Sequence, residues 1–245
     1  MSQLVIIPTY NEKENIEAII TAVMSLPVEF HVLVIDDGSP DGTAAIVKRL
    51  MAETYTGRLF IVERQGKQGL GTAYIAGFKW AIAHKYDYIF EMDADFSHNP
   101  QDLLKLHDTC ANKGADVAIG SRYVSGVNVV NWPMGRVLMS YFASKYVRFV
   151  LGIPVHDTTA GFVGYRREVL ETIELDKIRF KGYAFQIEMK FTAYKCGFKI
   201  VEVPIIFVNR VLGTSKMSGG IFSEALLGVV RLKISSWTRK YPQKK

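Results

Sequence analysis

The chain predicts an α/β fold with a mostly parallel sheet, helices on both faces, and amphipathic helices at the C-terminal end. Roughly the first 120 residues alternate short β-rich runs with stretches of helical period, the pattern of parallel strands joined by crossover helices. Three polar clusters, Pro8-Thr9-Tyr10-Asn11-Glu12, Asp36-Asp37-Gly38-Ser39 and Asp93–Ser97, each follow a predicted strand. Ligands of such sheets bind beyond the carboxyl ends of the strands, so the three clusters are expected along one rim.

The elements follow in order. Leu4–Ile7 reads as the first strand, and Ile16, Ile19, Ile20, Val23 and Met24 recur at helical spacing behind an Asn11…Glu14 pair that resembles a capping box. Val32–Ile35 is the second strand. A helix starting at Asp41 follows, with Ile46, Val47 and Leu50 facing the core. Strands at Leu59–Val62, Tyr88–Met92 and Val117–Ile119 are separated by helices at Ala73–Ala83 and Leu103–Cys110. Trp132–Gly152 is apolar nearly all round but interrupted by Arg136, Lys145 and Arg148. Such a helix lies either in a core or in a membrane interface, and the pattern fits both. Phe162–Tyr165 and Ile200–Val208 read as further strands, with helices at Arg167–Ile173, Ala184–Tyr194 and Ile221–Trp237.

With 245 residues, 49% hydrophobic and 22% charged, the chain has the composition of an ordinary globular protein, which excludes a disordered one. A single domain is expected, with residues 1–125 as one half, 126–220 as a second half carrying a loop, and 221–245 as a basic amphipathic helix. Cys110 and Cys196 lack metal-ligand spacing and read as buried small hydrophobes. No stretch reaches the roughly 18 apolar residues that span a bilayer, and the N-terminus has no basic leader. The net charge of +6 is uneven: after Glu224, Arg231, Lys233, Arg239, Lys240, Lys244 and Lys245 accumulate without an acid. Such a tail is either a solvated terminus or a contact for an anionic surface. The chain carries no base-reading motif, so nucleic acid is not expected as a partner.

The segment Glu91-Met92-Asp93-Ala94-Asp95-Phe96-Ser97 carries the most chemistry. If strand geometry persists through them, Asp93 and Asp95 point to one side. Adjacent carboxylates repel unless a cation lies between them, and Mg²⁺ takes one or two carboxylates plus phosphate oxygens and water. Asp36 and Asp37 could accept hydrogen bonds from a base or ribose, with Asp41 and the neighbouring glycines forming a turn and helix start. Gly69-Leu70-Gly71-Thr72 lacks Walker or Rossmann spacing and reads as close packing where a helix begins. Arg122, Arg136, Arg210 and Lys216 are the basic candidates. Gly213, Ser215, Gly219 and Gly220 around Lys216 suit a lid over a phosphorylated ligand.

Taken together, these segments resemble the inverting glycosyltransferases of family 2, which have the GT-A fold with its Rossmann-like sheet. Lys181-Gly182-Tyr183, Phe185-Gln186 and Arg210…Lys216 narrow the resemblance to the polyprenol-phosphate mannose synthase group. The matching motifs run in order from residue 8 to about residue 220 of the chain. The resemblance implies that Pro8, Tyr10, Glu12, Ile35 and Asp37 surround a nucleoside. Asp93 and Asp95 would hold Mg²⁺ or Mn²⁺ on its diphosphate, with Ala94 lining the site, and Arg210 and Lys216 would close on the donor. Arg122, Arg136 and Ser140 would receive an acceptor phosphate, Arg122 also lying by the donor, and Asp95, Arg122 and Arg136 would carry the catalysis. The implied donor is GDP-mannose, the acceptor dolichyl or polyprenyl phosphate, and the place of work the cytoplasmic side of a membrane, peripherally, with a separate membrane subunit as a possible partner. A sugar nucleotide such as UDP-glucose remains an alternative donor, and a non-catalytic nucleotide-sugar- or lipid-binding subunit an alternative role. Departures from the family pattern are Ser97 where many members have a metal-binding Gln, Asn209 for an Asp, His156–Gly161, and no counterpart of a four-helix membrane extension found in some members.

Overall fold

The computed structural model describes residues 1–182, 184–209 and 221–244. Strands β1 (Gln3–Thr9), β2 (Phe30–Asp36), β3 (Leu59–Glu63), β4 (Tyr88–Glu91), β5 (Val117–Ser121), β7 (Val163–Arg166) and β8 (Ile200–Pro204) form one sheet in the order β3-β2-β1-β4-β7-β5-β8. All neighbours are parallel except β7, which runs antiparallel to both β4 and β5. A small parallel pair, β6 (Val129–Val130) and β9 (Phe207–Val208), stands apart. The stretch expected as one strand over Ile200–Val208 breaks at Ile205-Ile206, so its two parts join different sheets.

Alternation along each strand sends side chains to opposite faces, and both faces are buried. Val5, Ile7, Val32 and Val34 pack with α1 (Ile16–Met24), α2 (Thr43–Glu53) and α4 (Asp102–Ala111). Leu4, Ile6, Leu33 and Ile35 pack on the other side with α3 (Leu70–Ala83), α5 (Met134–Leu151), α6 (Arg167–Thr172), α7 (Ala184–Lys195) and α8 (Ile221–Ser235). Cys110 and Cys196 are buried in these layers as expected.

Local signals misplace some boundaries. The Asn11…Glu14 pair is not a capping box: α1 begins at Ile16, and Asn11 adopts φ +57° in the preceding loop. The Glu12 carbonyl, not a side chain, receives the Asn15 and Ile16 N–H groups. Asp41 lies outside α2, whose N-cap is Gly42 at φ +91°, and its carboxylate accepts from Thr43 N and Oγ1 at 3.0 and 2.6 Å. Helix α3 starts three residues earlier than the apolar pattern, and Gly71 in its first turn sits where a Cβ would come within 2.7 Å of the Phe185 ring. The glycines of this turn therefore serve close packing, as their spacing implies.

Helix α5 is a surface helix. Only Ser144, Val147 and Leu151 are buried, while Phe142 and Phe149 stand 58% and 88% exposed. Its core alternative is thereby excluded. The basic tail is also not simply solvated: Arg239 pairs with buried Glu188, and Lys244 Nζ reaches both oxygens of buried Asp116 at 2.9 and 2.8 Å. Asp116 precedes β5, so the tail is fastened at the end of the sheet opposite the polar rim.

A candidate active site at the sheet rim

In register, Pro8 lies beside Ile35 and Thr9 beside Asp36, so the β1 and β2 ends are adjacent, with β4 next to β1. The three polar clusters thus meet at one rim. Asp36 is a structural residue there, its carboxylate accepting from Thr9 Oγ1 at 2.8 Å, Ser39 N at 2.9 Å and Ser39 Oγ at 2.6 Å. This ties the β1 and β2 loops together. Asp37 faces Arg64, whose Nε donates to it at 2.7 Å and whose Nη1 reaches Thr72 Oγ1 at 2.9 Å. Arg64 escaped the sequence reading because its partner lies 27 residues away. Tyr10 lies at the rim under Lys67, whose ammonium is 5.7 Å from the ring centroid, and Glu12 takes the Asn15 amide at 3.2 Å. Pro8, Tyr10 and Glu12 are half-buried, but Ile35 is fully enclosed in the core.

Strand β4 ends at Glu91, before the two aspartates. Asp93 and Asp95 thus occupy a turn, not the extended strand expected from their spacing. The turn is tightened by Ser97 N donating to Asp95 Oδ1 at 3.0 Å and by Phe96 at φ +58°. A bulky residue in the left-handed region stores strain of order 1–3 kcal/mol, characteristic of a turn held by its surroundings. Those surroundings are visible. His98, 2% exposed, stacks on Phe162 at 4.8 Å and presents Nδ1 to the Asp93 N–H at 3.4 Å, while Ser97 O accepts from Val208 N at 3.2 Å. Burial pulls the His98 imidazole down to about 4, so it is neutral at physiological pH and can accept that bond. Ala94 is buried, Asp95 is 6% exposed, and the Asp93 side chain is 39% exposed. Among the described residues no cluster of three His, Cys, Asp or Glu forms. Two carboxylates on one turn fit a hard divalent cation that completes its shell with phosphate and water, and do not suit a closed zinc site.

Beneath the turn lies a buried polar line that the sequence reading missed. Gln186 Nε2 donates to Glu91 Oε2 at 2.7 Å, and Lys190 Nζ, fully enclosed, donates to Ala160 O at 2.6 Å and to Gln186 Oε1 at 3.3 Å. Burial pushes the Glu91 carboxyl up to about 8 and pulls the Lys190 ammonium down to about 8. Lys190 anchors the loop that presents Asp157, itself held by its N–H on Glu202 Oε1 at 2.9 Å.

Arg122 follows β5 and meets Asp157 in a bidentate pair, Nε at 2.7 Å and Nη2 at 2.6 Å, with Nη2 also on Thr159 Oγ1 at 2.8 Å. Burial opposes the Asp157 charge, but the guanidinium outweighs it and keeps the carboxyl below its ordinary range. Arg136, in the first turn of α5, donates from Nη1 to Asn209 Oδ1 at 3.2 Å and lies 4.0 Å from the Trp132 ring centroid. Ser140 is one turn further along the same helix face and accepts from the Tyr123 hydroxyl at 2.7 Å. Arg122, Arg136 and Ser140 are thus brought together around Tyr123 and Trp132. Arg210, Lys216 and the expected lid lie outside the described residues.

A mostly parallel sheet with helices on both faces and a strand-end carboxylate turn at its rim is a GT-A-type α/β architecture. The profile of "Glycosyl transferase family 2" matches residues 4–174, and this chain belongs to that family. It is 49% identical over 234 residues to the polyprenol monophosphomannose synthase of Mycolicibacterium smegmatis, covering 96% of this chain and 86% of the relative. It is 47% identical over 231 residues to the undecaprenyl-phosphate mannosyltransferase of Micrococcus luteus, covering 94% and 93%. Among solved structures, glucosyl-3-phosphoglycerate synthase from Mycobacterium tuberculosis, in complex with Mn²⁺, UDP and glucosyl-3-phosphoglycerate, shares the fold with TM-score 0.68 at 18% identity, over 96% of this chain and 80% of that one. A Pyrobaculum calidifontis mannosyltransferase in complex with GDP-Man and Mn²⁺ does so with TM-score 0.62 at 18% identity, over 98% and 65%.

Proposed function

We propose that this chain transfers mannose, with inversion, from GDP-mannose to a polyprenyl monophosphate, giving polyprenyl β-mannosyl phosphate and GDP. The observation that carries this reading is the near-full-length similarity to two enzymes named for polyprenol-phosphate mannosylation. The rim geometry supports it. Carboxylates for a metal–diphosphate lie on the β4 turn, and a pair of arginines lies by the β5 end and the α5 start.

Asp93 and Asp95 would hold Mg²⁺ or Mn²⁺, which supplies neutralisation of the departing diphosphate. Pro8, Tyr10, Glu12 and Asp37 line the nucleoside end, with Arg64 orienting Asp37. Arg122, Arg136 and Ser140 receive the acceptor phosphate. A phosphate monoester has its second pKa near about 6, so it arrives already anionic and needs orientation, not a general base. The arginines give that orientation through charge-assisted bonds. A fold-related enzyme binds UDP-glucose with Mn²⁺, which keeps a uridine donor as the second reading. Turnover with GDP-mannose and UDP-glucose, each at saturating polyprenyl phosphate, separates the two. GDP-mannose should be preferred at least about tenfold in kcat/KM, a difference of 1.4 kcal/mol. Preference for UDP-glucose would overturn the donor assignment.

A lipid acceptor requires the enzyme to work at a membrane surface, because each methylene withdrawn from the bilayer costs about 0.8 kcal/mol. No helix among the described residues is long and apolar enough to cross a membrane. Helices α5 and α8 pack together through Tyr146 Oη on Leu226 O at 3.2 Å and expose Phe142, Phe149, Leu227 and Ile234, with Trp237 exposed just beyond α8. We assign peripheral membrane contact to this apolar surface. Because Arg239 and Lys244 are engaged with Glu188 and Asp116, the tail has less charge for a bilayer than its sequence implies. Phe149→Ser with Trp237→Ser should weaken sedimentation with phospholipid vesicles more than neutralising Lys240 does. The opposite ranking would return the role to the tail.

A further inference from the structure

Two arginines gathered around one site repel each other, and a receptor built from them needs something to hold both. Asp157 does this for Arg122 through its bidentate pair. Arg136 donates from Nη1 to Asn209 Oδ1 at 3.2 Å. What it shares with Arg122 is Trp132, whose ring centroid lies 4.0 Å from the Arg136 guanidinium and 5.6 Å from that of Arg122. A guanidinium against an indole face is attracted by the ring quadrupole and kept planar to it. Trp132 is itself fixed edge-on against Phe207 at 5.2 Å, and Phe207 also lies 5.6 Å from the Arg122 guanidinium. The indole N–H is buried and finds no acceptor among the described residues, so the ring face is the part of this side chain that is used. Asn131, immediately before it, adopts φ +61°, which turns the chain into α5 with Trp132 beneath Arg136.

We infer that Trp132 is a positioning residue whose indole face holds Arg136, together with Arg122, as a preassembled receptor for the phosphate monoester of the acceptor. The inference rests on the reading of these arginines as acceptor ligands. Its consequence is a loss confined to the acceptor when the ring is removed, and shared with Arg136.

The test compares Trp132→Leu, Trp132→Phe, Arg136→Ala and the Trp132→Leu/Arg136→Ala pair, using polyprenyl monophosphate in detergent micelles as acceptor and calorimetric binding of GDP-mannose as the donor readout. Trp132→Leu should raise the acceptor KM or lower kcat/KM by roughly 3- to 10-fold, and Trp132→Phe should recover most of that. GDP-mannose affinity and the thermal midpoint of Trp132→Phe should stay near wild type. In the Arg136→Ala background the Trp132→Leu change should add less than about twofold, because the interaction is already gone. Full additivity, or a parallel fall in donor affinity, would overturn the positioning role. An effect of Arg136→Ala on the acceptor with none from Trp132→Leu would do the same while leaving the arginine reading intact. Unaltered acceptor kinetics in Arg136→Ala would overturn that underlying reading itself. If Trp132→Leu does not fold, Trp132→Met, which also removes the aromatic face, carries the same coupling test in the two backgrounds.

Discussion

Asp95→Asn is expected to leave a folded protein whose sugar transfer falls by roughly two to three orders of magnitude, since charge stabilisation by a bound metal is worth several kcal/mol. Asparagine keeps an acceptor for the Ser97 N–H that Asp95 Oδ1 receives at 3.0 Å, so the turn should survive the change. What disappears is the anionic, nearly buried half of the carboxylate pair. Mn²⁺ binding, followed by calorimetry without substrate, should weaken in parallel, which distinguishes a lost ligand from a distorted active site. Ser97→Ala should change Mn²⁺ affinity little, because a hydroxyl is a poor ligand beside two carboxylates. Near wild-type turnover of Asp95→Asn at limiting Mg²⁺ would sink the metal assignment.

The second large effect is on stability. Lys190→Met should destabilise the fold by about 3–5 kcal/mol, the usual consequence of removing one partner from a buried charged network. Lys190 is fully enclosed, and its ammonium reaches Ala160 O and Gln186 Oε1, with Gln186 passing the contact on to Glu91. Methionine fills similar volume, so the loss is electrostatic and not a cavity. Adding Glu91→Gln should change this loss by less than about 1 kcal/mol, since burial already holds that carboxyl up at about 8 and mostly protonated near neutral pH. Urea midpoints of the single and double variants at constant slope report both numbers. A single-variant loss below about 1 kcal/mol would show that Lys190 is solvated in a way its burial denies.

Much of the site was legible because it depends on local chemistry. Polar clusters immediately after apolar runs sit at strand ends whatever the order of the strands, so Pro8–Glu12, Asp36–Ser39 and Asp93–Ser97 were placed on one rim. Arg136 and Ser140 are one helical turn apart, and the structure puts both on α5. The errors also have local causes. Asp93-Ala94-Asp95 looks like a strand by its spacing, but His98 and Val208 hold it as a turn. Asn11…Glu14 looks like a capping box, but the loop it occupies is held by Ser39 Oγ and Thr43 Oγ1, which belong to the next β–α turn.

The sequence by itself determined the α/β class, the rim and the residue types gathered on it, because hydrophobic period and turn chemistry act over a few residues. Only the tertiary structure decided that β7 inserts antiparallel between β4 and β5, bringing the Asp157 loop beside the end of β5. It alone showed that Arg64 faces Asp37, that Trp132 underlies Arg136, that Lys190 is sealed beneath the aspartate turn, and that Lys244 is fastened to Asp116. The pairs Arg64–Asp37, Lys190–Ala160 and Lys244–Asp116 are 27, 30 and 128 positions apart. Nothing in the neighbouring sequence marks a charge as buried or paired. That is set by the desolvation it suffers where the chain happens to fold over it, and by which opposite charge arrives from another element to offset that cost.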